Sequence, residues 1–349
     1  MGGEMKPMLR QLCLTALALA FCCSAAFSEN GPLGADQIRQ INAAIQAKGA
    51  KWTAAENWIT RLSSEERKKL CGSLMKPHDL LKVPRITYPK TINLPSHFDW
   101  RDNNGNWVTP VKNQDLCGGG CYIFCTIAQV ESWRMIHHHR PDSLIDLSEQ
   151  FLLSCADIGG CNGGSLKAAL DFIRSTGVPS EACLAYANTD ALSCNNACPS
   201  WQEEAVHIPG FGLVTFDNPE VEDIKNAVSR FPVSVEFSVY EDFDSYRKGV
   251  YEHVWGDLGA FHGLLIIGWD DIEQCWICKN SWGEDFGEQG YCRIKWGEGR
   301  IGRYAFGIYD ESSRSMVSIS KDRIEIACVL GDSIQENLTL TNQGVEPLE

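Results

Sequence analysis

This chain has no surplus of positive charge: 31 Lys and Arg stand against 45 Asp and Glu, a formal charge of -14. That balance argues against a nucleic-acid partner and against adhesion to anionic membrane, since both ask for a basic surface. The apolar run Leu12 to Phe21 falls well short of the roughly 20 residues a membrane anchor needs. Internal repeats and low-complexity tracts are also missing. No Cys-x-x-Cys opens a helix-like run, so the cysteine-rich loops have no redox signature. Cys275 and Cys278 do have that spacing. A zinc site is the sharper reading of them, but no second ligand pair follows at suitable spacing. Neither a metal nor an organic cofactor is expected.

What is present is 16 cysteines in a chain of ordinary globular composition, 44% hydrophobic and 22% charged. At 349 residues there is room for one large or two smaller domains plus processing segments. Residues 1–28 have the pattern of an export signal: Lys6 and Arg10, then the apolar run, then the small-x-small site Ala26-Phe27-Ser28. The rival lipoprotein reading would acylate Cys22, but it is preceded by the bulky Phe21. The mature chain is therefore expected to be secreted or lumenal, in an extracellular, lysosomal or periplasmic setting, with no membrane attachment once the signal is removed. Disulfides are the default state of cysteine there.

Residues 29–91 are polar and helix-prone, with Ile38, Ile41 and Ile45 at helical spacing, and Ser63 and Glu66 placed as a capping box. LMKPHDLLKVPRITYPK then breaks into proline-punctuated extended chain, suited to lying over a groove or to serving as a plain linker. Residues 92–310 have the texture of a compact enzyme domain. Thr126 to His138, Leu147 to Cys155 and Gly164 to Ser175 read as helices. PVSVEFSVY, GLLIIGW, CWICKNS and GYCRIKW read as short strands. Helices first and strands after imply an α+β protein of two lobes with a cleft between them. Residues 311–349 read as a linker and the opening hairpin of a truncated β-sandwich-like domain, carrying the sequon Asn337-Leu338-Thr339.

The chemistry concentrates in CGGGCYIFC, from Cys117 to Cys125. Gly118 to Gly120 supply a turn, and the apolar series Tyr122, Ile123, Phe124, Ile127, Val130 and Ile136 reads as a helix with one apolar face. A thiol attacks a carbonyl only as thiolate, and its pKa falls at the positive end of a helix beside an imidazolium. Cys121 has that setting, and His262 and Asn280 follow far downstream.

With LPSHFDWRD, VKNQ, LSEQFLLSC, GCNGG, FHGLLIIGW and WICKNSWG in this order, the chain resembles the papain-like cysteine peptidases over roughly Leu94 to Asp310. FSVYEDFDSYRKGVYEHV is most similar to cathepsin B and its bacterial relatives. The resemblance implies a helical N-terminal lobe, an antiparallel β-barrel-like C-terminal lobe and an active site in the cleft. It implies Cys121 as nucleophile, forming an acyl-enzyme, and His262 as its ion-pair partner and proton donor to the leaving amine. Asn280 would orient the imidazole, Trp282 would shield that bond, and Gln114 with the Cys121 backbone N–H would donate to the oxyanion. It further implies disulfides Cys117–Cys161 and Cys155–Cys194, with Cys183 and Cys198 placed for a third. Residues 29–91 would be a propeptide that inhibits its own enzyme, in a monomer acting on peptide or protein substrates.

The chain departs from the family in one place that bears on activity. Gly118, Gly119 and Gly120 stand where the family has two residues before its nucleophile. The helix register, with Glu131 ten residues after Cys121, puts the extra glycine in the loop. Tyr122, Cys125 and Phe261 are further substitutions near the site. The competing reading is a catalytically impaired papain-fold protein that binds peptides or partners, with Cys121 and Cys125 as framework cysteines. Gly163 and Gly164 resemble the residues that pair with an extended substrate. By the resemblance, Glu236 occupies a position where relatives place a small residue lining the pocket for the second side chain before the scissile bond; an acid there would favour Arg or Lys, whereas a one-residue shift of register would put it on the solvent face. The histidine-bearing loop that blocks the cleft in cathepsin B has no counterpart between Gly177 and Trp201, which implies endopeptidase action. One cross-strand pair among Cys275, Cys278 and Cys292 is expected, its members left open. His137 to His139 read as solvated residues at a helix end.

Overall fold

The computed structural model describes residues 31–309, apart from Pro89 and Ile92, and two strands at 315–319 and 324–327. The export-signal segment and the sequon lie outside the described residues.

Helix α1 (Ala35–Lys48) buries Ile38, Ile41 and Ile45 and stops at Gly49, whose φ of 70° suits a residue without a side chain. Each buried isoleucine contributes about 1.5–3 kcal/mol. Strand β1 (Lys51–Ala54) turns Trp52 and Ala54 inward. Helix α2 (Ser64–Lys69) has the expected capping box: Ser63 Oγ accepts from Glu66 N–H, and the Glu66 carboxylate accepts from Ser63 N–H at 2.8 Å. Helix α3 (Pro77–Leu80) and strands β2 (Arg85–Thr87) and β3 (His97–Asp99) lead into the main domain.

The helical lobe holds α4 (Cys121–His137), α5 (Glu149–Cys155), the short ladder of β4 (Gly159–Gly160) and β5 (Gly163–Gly164), α6 (Leu166–Ser175) and α7 (Trp201–Glu204). Ile123, Ile127, Phe151, Leu152, Leu170 and Ile173 form its core. Three disulfides staple it: Cys117–Cys161, Cys155–Cys194 and Cys183–Cys198.

The second lobe adds β6 (Phe211–Phe216), α8 (Val221–Val228), β7 (Val233–Tyr240), β8 (Tyr246–Tyr251), β9 (Leu258–Asp270), β10 (Cys275–Lys279), β11 (Tyr291–Lys295) and β12 (Tyr304–Ile308). Strands β13 (Ser315–Ile319) and β14 (Ile324–Ala327) form an antiparallel hairpin, and β13 pairs with β2. The sheet runs β1-β8-β11-β10-β9-β7-β12-β6-β2-β13-β14, with β3 beside β9. It stays open where a barrel-like lobe was expected, because its end strands β1 and β14 do not pair with each other. The N-terminal segment is built into this sheet, since its strand β1 pairs antiparallel with β8 and forms one end of the sheet.

Helix α4 differs from the amphipathic helix expected of its sequence. It is buried on nearly every side, its polar Thr126, Gln129, Glu131 and Ser132 included. Gln129 Nε2 donates to the carbonyls of Pro232 and Phe306, and Gln129 Oε1 accepts from Ser234 Oγ. Such partners are what make polar burial tolerable. The helix thus passes through the molecule with its first residue, Cys121, at the junction of the two lobes.

Candidate active site

Cys121 opens α4 after a tight turn of Gly118–Gly120. Its Sγ accepts a hydrogen bond from the Gly72 N–H at 3.2 Å. His262 lies on β9, and the neighbouring Gly263 packs against the Cys121 backbone: a Cβ added there would sit 3.0 Å from the Cys121 oxygen. Asn280 follows the end of β10, and its Oδ1 lies 2.7 Å from His262 Nε2. The same oxygen accepts from the Ser281 N–H at 2.8 Å, which decides which end of the amide faces the ring. Nε2 therefore carries the proton. The ring is stacked obliquely on Trp282, with centroids 4.5 Å apart.

Gln114 completes the group. Its Nε2 donates to the Leu70 carbonyl at 3.0 Å and also to the Gly118 carbonyl, while its Oε1 accepts from Ser281 Oγ at 2.5 Å. Trp282 Nε1 donates to the same Leu70 oxygen at 3.4 Å. Ser281 thus ties Gln114 to Asn280. The sequence reading passed over it, although it stands in the quoted run KNSWG.

Residues 70–74 lie through the cleft. Gly164 N–H donates to the Gly72 carbonyl at 2.9 Å, Leu74 N–H donates to the Gly164 carbonyl at 2.8 Å, and Ser73 bridges Gly164 in parallel. On the other wall Ser73 N–H donates to the Phe261 carbonyl at 3.0 Å. Gly163 and Gly164 allow this approach, since a Cβ on Gly163 would fall 2.7 Å from the Gly72 oxygen. The glycine triplet does the same from below: a Cβ on Gly72 would lie 2.3 Å from Gly119 Cα. Glu236, opposite Gly263 in the β7–β9 register, accepts from Ser73 Oγ at 2.8 Å. It therefore turns toward the cleft and not to open solvent.

Burial sets the protonation states. The Cys121 thiol is pushed up to about 11, chiefly by loss of water, although the Gly263 and Gly72 N–H groups pull it down. His262 is pushed down to about 4 by burial, with Asn280 and the Leu70 carbonyl opposing. Both groups are neutral in this covered state, where the sequence suggested a thiolate–imidazolium pair. Residues 70–74 remove the water that such a pair needs.

Beneath the site, Glu131 accepts from Thr109 Oγ1 and from the Leu147 N–H, and Lys112 reaches Glu131, Asp146 and Glu149. Lys279, beside Asn280, donates to Thr109 Oγ1 at 3.0 Å and is pushed down to about 8 by burial. Among the described residues Cys71, Cys121, Cys125, Cys275, Cys278 and Cys292 carry no disulfide. Cys278 and Cys292 stand directly opposite each other on β10 and β11, so register names the pair best placed to bridge.

A family model described as Papain family cysteine protease matches residues 94–314, and the chain belongs to that family. Cathepsin B-like CP3 of Giardia intestinalis is 30% identical over 265 residues, covering 72% of this chain and 86% of that protein. A viral cathepsin of Heliothis zea nuclear polyhedrosis virus is 35% identical over 211 residues, 58% of this chain; the chain spans about half of that relative, 53%. Among solved structures, procathepsin L2 from Tenebrio molitor larval midgut superposes with a TM-score of 0.69 at 26% identity, covering 79% of this chain and 89% of that one. The fold also matches proCathepsin B S9 from Trypanosoma congolense, with a TM-score of 0.70 at 24% identity, covering 80% and 99%. The chain is thus a cysteine-type peptidase with proenzyme forms among its structural neighbours.

Proposed function

We propose that this chain is a proenzyme of an endopeptidase that cleaves peptide bonds through Cys121, His262 and Asn280. The observation that carries the reading is the seating of Leu70: its carbonyl rests on Gln114 Nε2 while Gly72 caps the Cys121 sulfur. A substrate carbonyl placed on the same donor would present its carbon to Cys121.

When the cleft is open and wet, His262 Nδ1 takes the Cys121 proton, since Nε2 is held by Asn280. The thiolate attacks, Gln114 steadies the oxyanion, and the imidazolium protonates the departing amine. Water then hydrolyses the acyl-enzyme, with the imidazole as base. Trp282 covers the His262–Asn280 bond, so the ring keeps its orientation through both steps.

Residues 29–91 act as the inhibitor. By the family resemblance, the Gly164 and Glu236 side of the cleft takes the part of a substrate before its scissile bond. The segment sends the residues after Leu70 that way instead. Its polarity is the reverse of a substrate's, consistent with the parallel bridge at Gly164, and this leaves the Leu70–Cys71 bond uncut. Export rests on the sequence pattern, and a monomeric state on the family resemblance. Among the described residues no helix is long and apolar enough to cross a membrane.

Glu236 is proposed to favour Arg or Lys as the second side chain before the cut, with Ser73 standing in that pocket in the proenzyme. The test is cleavage of matched internally quenched peptides with Arg or Leu at that position by the trimmed protein. Cleavage abolished in Cys121→Ala, with an Arg preference lost in Glu236→Ala, supports both parts. Unchanged cleavage in Cys121→Ala would refute the nucleophile, and release of C-terminal dipeptides as the main product would refute endopeptidase action.

A further inference from the structure

Cys71 is the unpaired thiol of the N-terminal segment, half-buried where that segment crosses the cleft. The next residue's N–H touches the Cys121 sulfur at 3.2 Å. Only one carbonyl carbon separates that nitrogen from Cys71 Cα, a step of about 2.5 Å. Cys71 Cα therefore lies within about 6 Å of Cys121 Sγ, close enough that rotation of the Cys71 side chain with a small shift of the segment brings the two sulfurs to bonding distance. The backbone is held there from both walls, by Gly164 and Phe261 on one end and by Gln114 on Leu70 at the other. Burial raises the Cys71 thiol well above its ordinary value, and the neighbouring Cys121 adds to this. Three disulfides elsewhere in the chain fit an oxidising compartment.

We infer that Cys71 and Cys121 form a disulfide in the proenzyme, a covalent lock between the N-terminal segment and the site thiol that a small thiol reductant opens. The inference rests on the reading of Cys121 as nucleophile and extends it to the regulation of that residue. During folding the Cys71 thiolate attacks a small-molecule disulfide of the oxidised-glutathione class, forming a mixed disulfide and expelling one thiolate. The Cys121 thiolate then attacks the Cys71 sulfur, forming the Cys71–Cys121 bond and expelling the second. Two protein thiols are oxidised and one small disulfide is reduced to two thiols. Opening is the reverse exchange. The lock would also keep the nucleophile off the path to irreversible sulfinic acid during export.

The test uses the full chain folded in a glutathione redox buffer, denatured without reductant, alkylated with iodoacetamide and mapped by mass spectrometry. The expected result is a peptide pair joined through Cys71 and Cys121, with neither residue alkylated until reductant is added. In Cys71→Ser, Cys121 should be alkylated without reductant. Alkylation of both residues in the unreduced wild type, or Cys71 joined to another cysteine, would overturn the inference. Peptide hydrolysis by the full chain after reduction and limited proteolysis is scored separately. A joined pair without any hydrolysis would leave the lock standing and sink the peptidase reading; hydrolysis without a joined pair would do the opposite.

Discussion

The Leu70 carbonyl lies 3.0 Å from Gln114 Nε2, so the N-terminal segment occupies the donor that a reacting carbonyl needs. One amide thus serves inhibition and, in the trimmed protein, catalysis. Gln114→Ala should lower kcat of the trimmed protein by about 10²–10³-fold, the usual cost of one oxyanion donor. It should weaken the segment's hold in the full chain as well. Initial rates on a peptide substrate check the first effect; a kcat within the error of wild type would remove Gln114 from the mechanism.

Gly72 meets Gly119 backbone to backbone, with room for no Cβ between them. Gly72→Ala should loosen the segment and leave the trimmed protein untouched, because residue 72 is then gone. The check is the rate at which reduced full chain is alkylated at Cys121, expected to rise in the variant. An unchanged rate would mean that the glycine contact carries no weight in covering the site.

Two carboxylates under the segment titrate near neutrality. Glu236 is raised to about 7 by burial, opposed by the Ser73 hydroxyl and by the charges of Arg303 and Arg300. Asp244 is raised to about 7 by burial, opposed by Arg67, with which it forms a 3.0 Å ion pair. A carboxyl whose pKa is higher when covered takes up a proton on docking. Its contribution is complete below the uncovered pKa and is lost as pH rises through about 7. Inhibition of the trimmed protein by the 29–91 peptide should therefore weaken as pH rises from about 5 to about 7 and level off above that. The weakening should be smaller for Glu236→Gln. The opposite slope would show that other groups govern docking. Release by acid would have to work against these two.

Glu131 is paired beneath the site with Lys112 and is almost fully buried. Glu131→Ala would strip Lys112 and Lys279 of a counter-charge, and breaking a buried pair from one side costs about 3–5 kcal/mol. Urea unfolding of the two proteins compares them directly. A loss under about 1 kcal/mol, the scale of an exposed pair, would mean that solvent reaches the cluster.

Much of this was legible in the sequence. The capping box at Ser63 and the strand runs at β7, β9, β10 and β11 follow from local side-chain chemistry, and the structure has them. The burial of α4 was not legible. Gln129 and Glu131 fall outside the apolar series read for this helix, because their partners, at Pro232, Phe306 and Leu147, lie outside it in the sequence. The open course of the sheet escaped for the same reason, since the pairing of β1 with β8 joins residues about 200 apart. The family resemblance named Cys121, His262, Asn280 and Gln114, but the neutral state of the thiol depends on five residues of another segment lying over it.

The most direct test is active-site labelling of the trimmed protein with a thiol-directed epoxide, followed by mass spectrometry to find the adduct. The account expects one adduct on Cys121, abolished in His262→Ala and far slower in the full chain. An adduct on another cysteine, or equal labelling without the imidazole, would contradict it.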